Sequence, residues 1–429
     1  MRVTMQYGKT GLPVELPDDW DVTIIRKNPM PRYPDPAESV VDALSNPVSS
    51  GTIHEEAKGC RSACILICDI TRPVPNNLLI PALVRDLLDA GMDAGRITIL
   101  VATGLHRPNE GCELEELIGD EWVLKSVNVA NHFALDDSAH VYLGDTSRGI
   151  PAKIDRRFIE ADLRIVTGLV EPHFMAGYSG GRKVIVPGIA HADTITRLHS
   201  AQLLEHPNAA NCVLDSNPFH AEQMEIIGMI GRSLAVNVVI DEHRNLSFVN
   251  FGEIVDSHAQ AVNFMEQYAK VSIDQRFGTV LTSAAGYPLD KTYYQTVKGM
   301  VGAMNILEQG GNMFIVSECS EGMGSSHYVQ AQKELCRLGT VGFKDSLLSR
   351  SQAMIDEWQT EMQLKAMAVG NLHIFSGGLS KADSDLTGIR AIESLIEALA
   401  ESVSSSGNNR IAVIPEGPYV IPVYSYSNP

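Results

Sequence analysis

What most constrains this chain is a repeated alternation of short apolar runs with helical patterns. CILICDI (64–70) precedes NNLLIPALVRDLLDAGM (76–92), whose apolar residues share one helical face and which Gly91 can stop. RITILVATG (96–104) is followed by a short acidic helix near CELEELIG. LRIVTGLV (163–170) is followed by a Gly-rich loop and the helical ADTITRLHSAQLLEH (192–206). Continuous apolar strands must be buried on both faces, and strand–helix–strand order supplies helices to cover them, so parallel sheets are expected. The amphipathic SHAQAVNFMEQYAKV, within 255–276, reads as a helical connector. The cycle then restarts with GTVLTSA (278–284), the helix TYYQTVKGMVGAMNILEQ, and the strands NMFIVSE, NLHIFSGG and RIAVIPEG. With 429 residues the chain exceeds one comfortable core. The expected fold class is α/β: two α/β domains with mainly parallel sheets, residues 1–265 and a smaller 266–429, with the active site in the cleft between them.

Composition narrows the partners. Lys and Arg number 34 against 52 Asp and Glu, a formal charge of −18, which argues against nucleic acid and against anionic membranes. A 44% hydrophobic and 20% charged composition is ordinary for a globular enzyme. Met1 is followed by no basic segment with an apolar core, and no apolar stretch approaches the roughly 18 residues of a spanning helix, so a cytoplasmic location is expected. Seven cysteines without a C-x-x-C pair suggest reduced thiols. Cys60, Cys64 and Cys68 have the spacing of a helical stripe, but ACILICDITR is strand-like, so they read as small buried hydrophobes rather than metal ligands.

Ligands of open parallel sheets bind beyond the carboxyl ends of the strands. Those ends carry Asp69 and Arg72 after the first strand, His106 after the second, and Glu171, His173 and Lys183 after the third. Packing explains any one of these residues more easily than their coincidence on three strand ends. The segment GYSGGRKVIVPG (177–188) can offer backbone N–H groups to a phosphate, with Ser179 and Arg182 adding to it, or can be a tight turn only. It is neither a Walker A nor a G-x-G-x-x-G loop. Lys183 is either a solvated lysine or an amine held for covalent attachment. His199, on the helical stretch, is either structural or a metal ligand. In the second domain Gln295 and Lys298, at i and i+3, share a helix face that could hold a carboxylate. Trp358 is a core filler or an active-site wall.

At these residues the chain resembles the lactate racemase family, the nickel-pincer enzymes. D-x-T-R-x-x-P appears as Asp69 to Pro75, and G-x-H-R as Gly104 to Arg107. E-P-H-x-x-x-G-Y-S-G-G-x-K-x-x-x-P-G runs from Glu171 to Gly188, with H-S at His199-Ser200. D-K-T and Y-Q-x-x-K appear as Asp290 to Thr292 and Tyr294 to Lys298. The resemblance implies a racemase or epimerase of a 2-hydroxy acid, lactate or a related one. It implies a nickel-pincer nucleotide, the pyridinium-3-thioamide-5-thiocarboxylic acid mononucleotide with Ni, supplied by cofactor maturation enzymes and joined to Lys183. His199 is then the protein's nickel ligand, and His106 and His173 the acid/base pair. Asp69, Arg72, Tyr178, Ser179, Gly180 and Gly181 surround the cofactor. Arg72, Tyr294, Gln295, Lys298 and Trp358 face the substrate. The residues alone also leave open a Schiff-base or phosphate-cofactor enzyme that uses Lys183 without nickel, and a non-catalytic protein that binds a small anion.

Overall fold

A computed structural model of the chain describes residues 1–425 and divides it into two compact units. One comprises Pro29–Leu198 and His206–Gln267. Its six-stranded sheet runs in the order Leu246–Glu253, Leu234–Ile240, Leu163–Leu169, Ala63–Cys68, Ile97–Ala102, Asn128–Asn131. All neighbours are parallel except the outermost pair, Leu246–Glu253 with Leu234–Ile240. The order reverses between Ala63–Cys68 and Leu163–Leu169: the chain steps outward to Asn128–Asn131, then returns to the other side of its first strand. Such a switch point opens a crevice at the strands' carboxyl ends. Ile65, Ile67, Ile99, Val101 and Ile165 are fully buried beneath Leu79, Ile80, Leu83 and Leu87 of the helix Asn76–Asp89. Burial of each such side chain contributes about 1.5–3 kcal/mol.

The second unit comprises Met1–Asn28, His199–Glu205 and the chain from Tyr268 onward. Its sheet is parallel throughout, in the order Arg390–Ala391, Asn371–Phe375, Leu307–Val316, Phe277–Ser283, Arg410–Ile414, Asp21–Ile24. The expected division at 265/266 therefore needs a correction at the amino terminus. Asp21–Ile24 pairs with Arg410–Ile414, and Val3, Met5, Val14 and Leu16 of the preceding hairpin pack against Leu281, Phe314, Leu399 and Val413. These apolar residues find their burial on the sheet built from the distal half of the sequence. The end of the expected second domain, residues 426–429, lies outside the described residues.

Three helical expectations also shift. The stretch 192–206 splits into Ala192–Leu198 and Ala201–Leu204, because Ser200 takes the extended conformation of an N-cap. The connector helix ends at Ala269, where Lys270–Ile273 becomes a strand paired with Ile421–Tyr424. The helix Tyr293–Ala303 stops before Leu307, which opens a strand. None of the seven cysteines forms a disulfide, and no helix among the described residues is long and apolar enough to cross a membrane.

Because Met5 is fully buried in the second unit, Met5→Ala is expected to cost about 2–5 kcal/mol, read as a lower denaturant midpoint. Leu135→Ala, at a 69% exposed side chain, should change stability by no more than about 0.5 kcal/mol.

Candidate active site

The three strand ends named from the sequence are neighbours in one sheet, with Ala63–Cys68 in the middle. Two side-chain pairs join them. His106 Nδ1 lies 2.5 Å from Asp69 Oδ2, and Arg72 Nη1 donates to Glu171 Oε1 at 2.8 Å. The other Asp69 oxygen accepts from the Thr71 hydroxyl at 2.6 Å. Burial works against the charge of Asp69, but His106, Thr71 and Arg72 outweigh it and hold the carboxyl down to about 2. An ionised carboxylate only accepts, so His106 carries a proton on Nδ1, and Nε2 is the atom left to take one up.

His173 has the opposite bias. Its Nδ1 accepts from the backbone N–H of Met175 at 3.3 Å and of Ala176 at 3.2 Å, so the neutral ring carries its proton on Nε2. The two histidines thus start in different tautomers.

The chain then turns through the Gly-rich segment. Gly180 has φ +77°, and a Cβ on the strand residue Gly168 would lie 2.9 Å from Gly180 Cα; glycines let the loop rest on the strand. The side chains of Ser179 and Tyr178 both turn into the protein. The Ser179 hydroxyl donates to Leu169 O at 2.7 Å and accepts from Glu171 N at 3.1 Å, which staples the loop to the strand end. Tyr178 is 1% exposed, and burial pushes its phenol well above the usual range. Arg182, offered to a phosphate by the sequence, is instead in the interior, 1% exposed.

Lys183 is half-buried, and its ammonium makes no hydrogen bond or ion pair among the described residues. Burial foremost, then the positive charges of Arg72 and Arg182, pull its amine down to about 7, against opposing contributions from Cys68 and Asp69. A large fraction of this amine is therefore neutral and nucleophilic at neutral pH.

The remaining candidates belong to the other unit. His199 is buried, with its ring 4.4 Å from that of Trp358 at 32°. Trp358 Nε1 donates to the Tyr294 hydroxyl at 2.9 Å, so the buried indole is tied at its polar edge. Gln295 is buried and its side-chain oxygen has no hydrogen-bond partner, while Lys298 one turn later is half-buried. The residues that sequence reasoning missed are His220, which accepts from Arg182, and His258, which packs 3.1 Å from it. They stand 38 and 76 positions from it, and no local pattern announces the contact.

Comparison with known proteins adds a second line of observation. Residues 7–211 match the lactate racemase N-terminal domain and residues 274–422 the lactate racemase C-terminal domain. Lactate racemase of Thermoanaerobacterium thermosaccharolyticum is 30% identical over 426 residues, 98% of each chain. Lactate racemase of Lactiplantibacillus plantarum is 32% identical over 397 residues, 90% of each chain. The structure of the T. thermosaccharolyticum lactate racemase apoprotein aligns with a TM-score of 0.88 at 29% identity, covering 98% of this chain and all of that one. A Thermotoga maritima protein, 16% identical with a TM-score of 0.67 over 91% of this chain, shares the fold.

The depressed Asp69 carboxyl makes a signed prediction. Its stabilising contribution is complete above the unfolded value near 4 and is lost as pH falls toward about 2, a loss of about 2 kcal/mol. The stability gap between the native chain and Asp69→Asn, measured by denaturant titration, should therefore shrink over that acid window. A gap that stays constant would contradict the assignment.

Proposed function

The chain belongs to the lactate racemase family, and we propose that it is a cytoplasmic racemase or epimerase inverting C2 of a 2-hydroxy acid, lactate or a related one, with a nickel-pincer nucleotide attached to Lys183. The observation that carries this reading is the convergence at one switch point of a histidine primed by a carboxylate and a lysine with a depressed amine.

The residues fit the group. Lys183 supplies a neutral amine for covalent attachment. Asp69, Arg72 and the loop Tyr178 to Gly181 surround the cofactor in this reading, the loop through its backbone. No group of three or more His, Cys, Asp or Glu among the described residues could hold a metal ion. Nickel here would rest on soft donors brought by the cofactor, with His199 as the protein's imidazole ligand, a set that nickel tolerates.

The Cα–H of a 2-hydroxy acid is too weak an acid for an imidazole to remove. When bound, the cofactor supplies a hydride acceptor and so avoids a carbanion. The protein then has to move the hydroxyl proton. His106 takes it at Nε2, and Asp69 offsets the charge of the imidazolium. The other enantiomer presents its hydroxyl on the opposite side of C2, and His173 exchanges the proton there. Arg72, Tyr294, Gln295, Lys298 and Trp358 bind the substrate. The unpartnered Gln295 oxygen is an acceptor suited to a hydroxyl. Maturation enzymes that build the cofactor are the implied partners.

The neutral amine of Lys183 also suits a Schiff base with a carbonyl cofactor, and the two readings separate experimentally. The chain co-produced with cofactor-making enzymes should show an adduct by intact mass that Lys183→Ala lacks, together with bound nickel. Borohydride trapping of an imine on Lys183 would favour the second reading. Unchanged mass without nickel would sink the first. On an enantiopure 2-hydroxy acid that loses optical rotation, His106→Ala and His173→Ala should each lower kcat by about 10²–10⁴-fold.

A further inference from the structure

Among the described residues Arg182 is the largest fully buried side chain, and no carboxylate pairs with it there. Its Nε donates to His220 Nδ1 at 2.6 Å. Its Nη2 donates to the carbonyls of Ala176 at 2.9 Å and Tyr178 at 3.2 Å. Its Nη1 lies 3.1 Å from His258 Nε2, which itself lies 2.8 Å from Ser179 O. Neither imidazole offers a compensating charge: burial first, then Arg182 itself, pushes His258 down to about 3 and His220 down to about 4. A guanidinium stays protonated, so the fold keeps a cation in its interior against a solvation penalty. A hydrophobic side chain of similar length would avoid that penalty, and core packing alone does not explain the choice.

Every main-chain atom gripped by this cluster lies between His173 and Lys183. The Arg182 fork holds the carbonyls of Ala176 and Tyr178, and His258 lies against that of Ser179. Access for His258 depends on Gly181, where φ is +46° and a Cβ would stand 2.8 Å from the imidazole ring. The same loop presents the Met175 and Ala176 amides that set the tautomer of His173.

We propose that Arg182, seated between His220 and His258, is a positioning residue that holds the 173–183 loop from its buried side and so sets the state of both His173 and Lys183. The use made of Lys183 rests on the reading given above, but the positioning role can be measured on protein without cofactor. The groups acting on Lys183 are the charges of Arg72 and Arg182, which disfavour the ammonium, and the titratable Cys68 thiol and Asp69 carboxylate, which favour it. Removal of the Arg182 charge should therefore make Lys183 harder to deprotonate, whereas removal of its fork should loosen the loop.

The test is amine labelling of the full chain with acetic anhydride across pH, read at the Lys183 peptide by mass spectrometry, with amide hydrogen exchange over residues 174–181. In Arg182→Met the Lys183 labelling rate at pH 7 should fall about 3- to 10-fold, with little change near pH 10. Arg182→Lys should recover most of the pH 7 rate, since charge is kept, yet both variants should exchange the loop amides about tenfold faster. A folded Arg182→Met protein with wild-type labelling and exchange would overturn the proposal. Should that variant not fold, His258→Gln keeps the guanidinium and removes one neighbour; it must speed exchange over 174–181, and wild-type exchange would equally overturn the proposal. Absence of a cofactor adduct on the wild-type chain would count against the racemase reading and leave these measurements intact.

Discussion

The site depends on the parallel pairing of Leu163–Leu169 with Ala63–Cys68. That register sets Ile165 opposite Ile65, and the Thr167 hydroxyl adds a bond to Leu66 O at 3.1 Å. Because both strands run the same way, their carboxyl ends emerge together, and Ile97–Ala102 emerges beside them. The His106–Asp69 and Arg72–Glu171 pairs are short only because three segments distant in sequence end at one level. An antiparallel neighbour would have sent Glu171 and His173 to the opposite edge of the sheet. The outer antiparallel strand, Leu246–Glu253, carries none of these residues.

Electrostatics within this unit runs against the whole chain. The protein carries −18, yet the loop that ends in Lys183 is surrounded by Arg72 and Arg182. Two cations near a half-buried amine make its neutral form the easier one, and two carboxylates, Asp69 and Glu171, keep Arg72 and His106 in place. A net charge describes how a protein behaves at long range, while a reactive amine responds to neighbours within a few ångströms.

The legible and illegible parts of the sequence divide along physical lines. Strands Ala63–Cys68, Ile97–Ala102 and Leu163–Leu169 were readable because burial on both faces demands unbroken apolar runs, and the residues that follow them were readable because parallel sheets gather their ends. Ser179 and Arg182 stand in the same polar run as Lys183, and composition cannot say that one side chain staples a strand end, another turns into the core, and the third is left unpaired. His220 and His258 are held by a contact across 38 and 76 residues, which has no periodicity. Residues 1–28 were placed with the first domain by sequence order alone, whereas four-residue strands fit either sheet and only packing against Phe314 and Leu399 decides.

The short segment His199–Glu205 leaves one unit, packs within the other, and returns. Ala201 joins Ala331, Leu335, Phe343 and Leu364 in a small apolar cluster. Lys365 donates to Leu204 O, and Lys344 pairs with Glu205 at 2.5 Å. The amino terminus makes a similar excursion. The units are therefore not modules in the genetic sense. A gene fusion at 267/268 that exchanged the distal half with that of a relative would leave two resident segments, 1–28 and 199–205, packed against a foreign surface, and the second carries His199. Diversification of such a chain is therefore expected to proceed by coordinated substitution across three stretches of sequence rather than by domain shuffling.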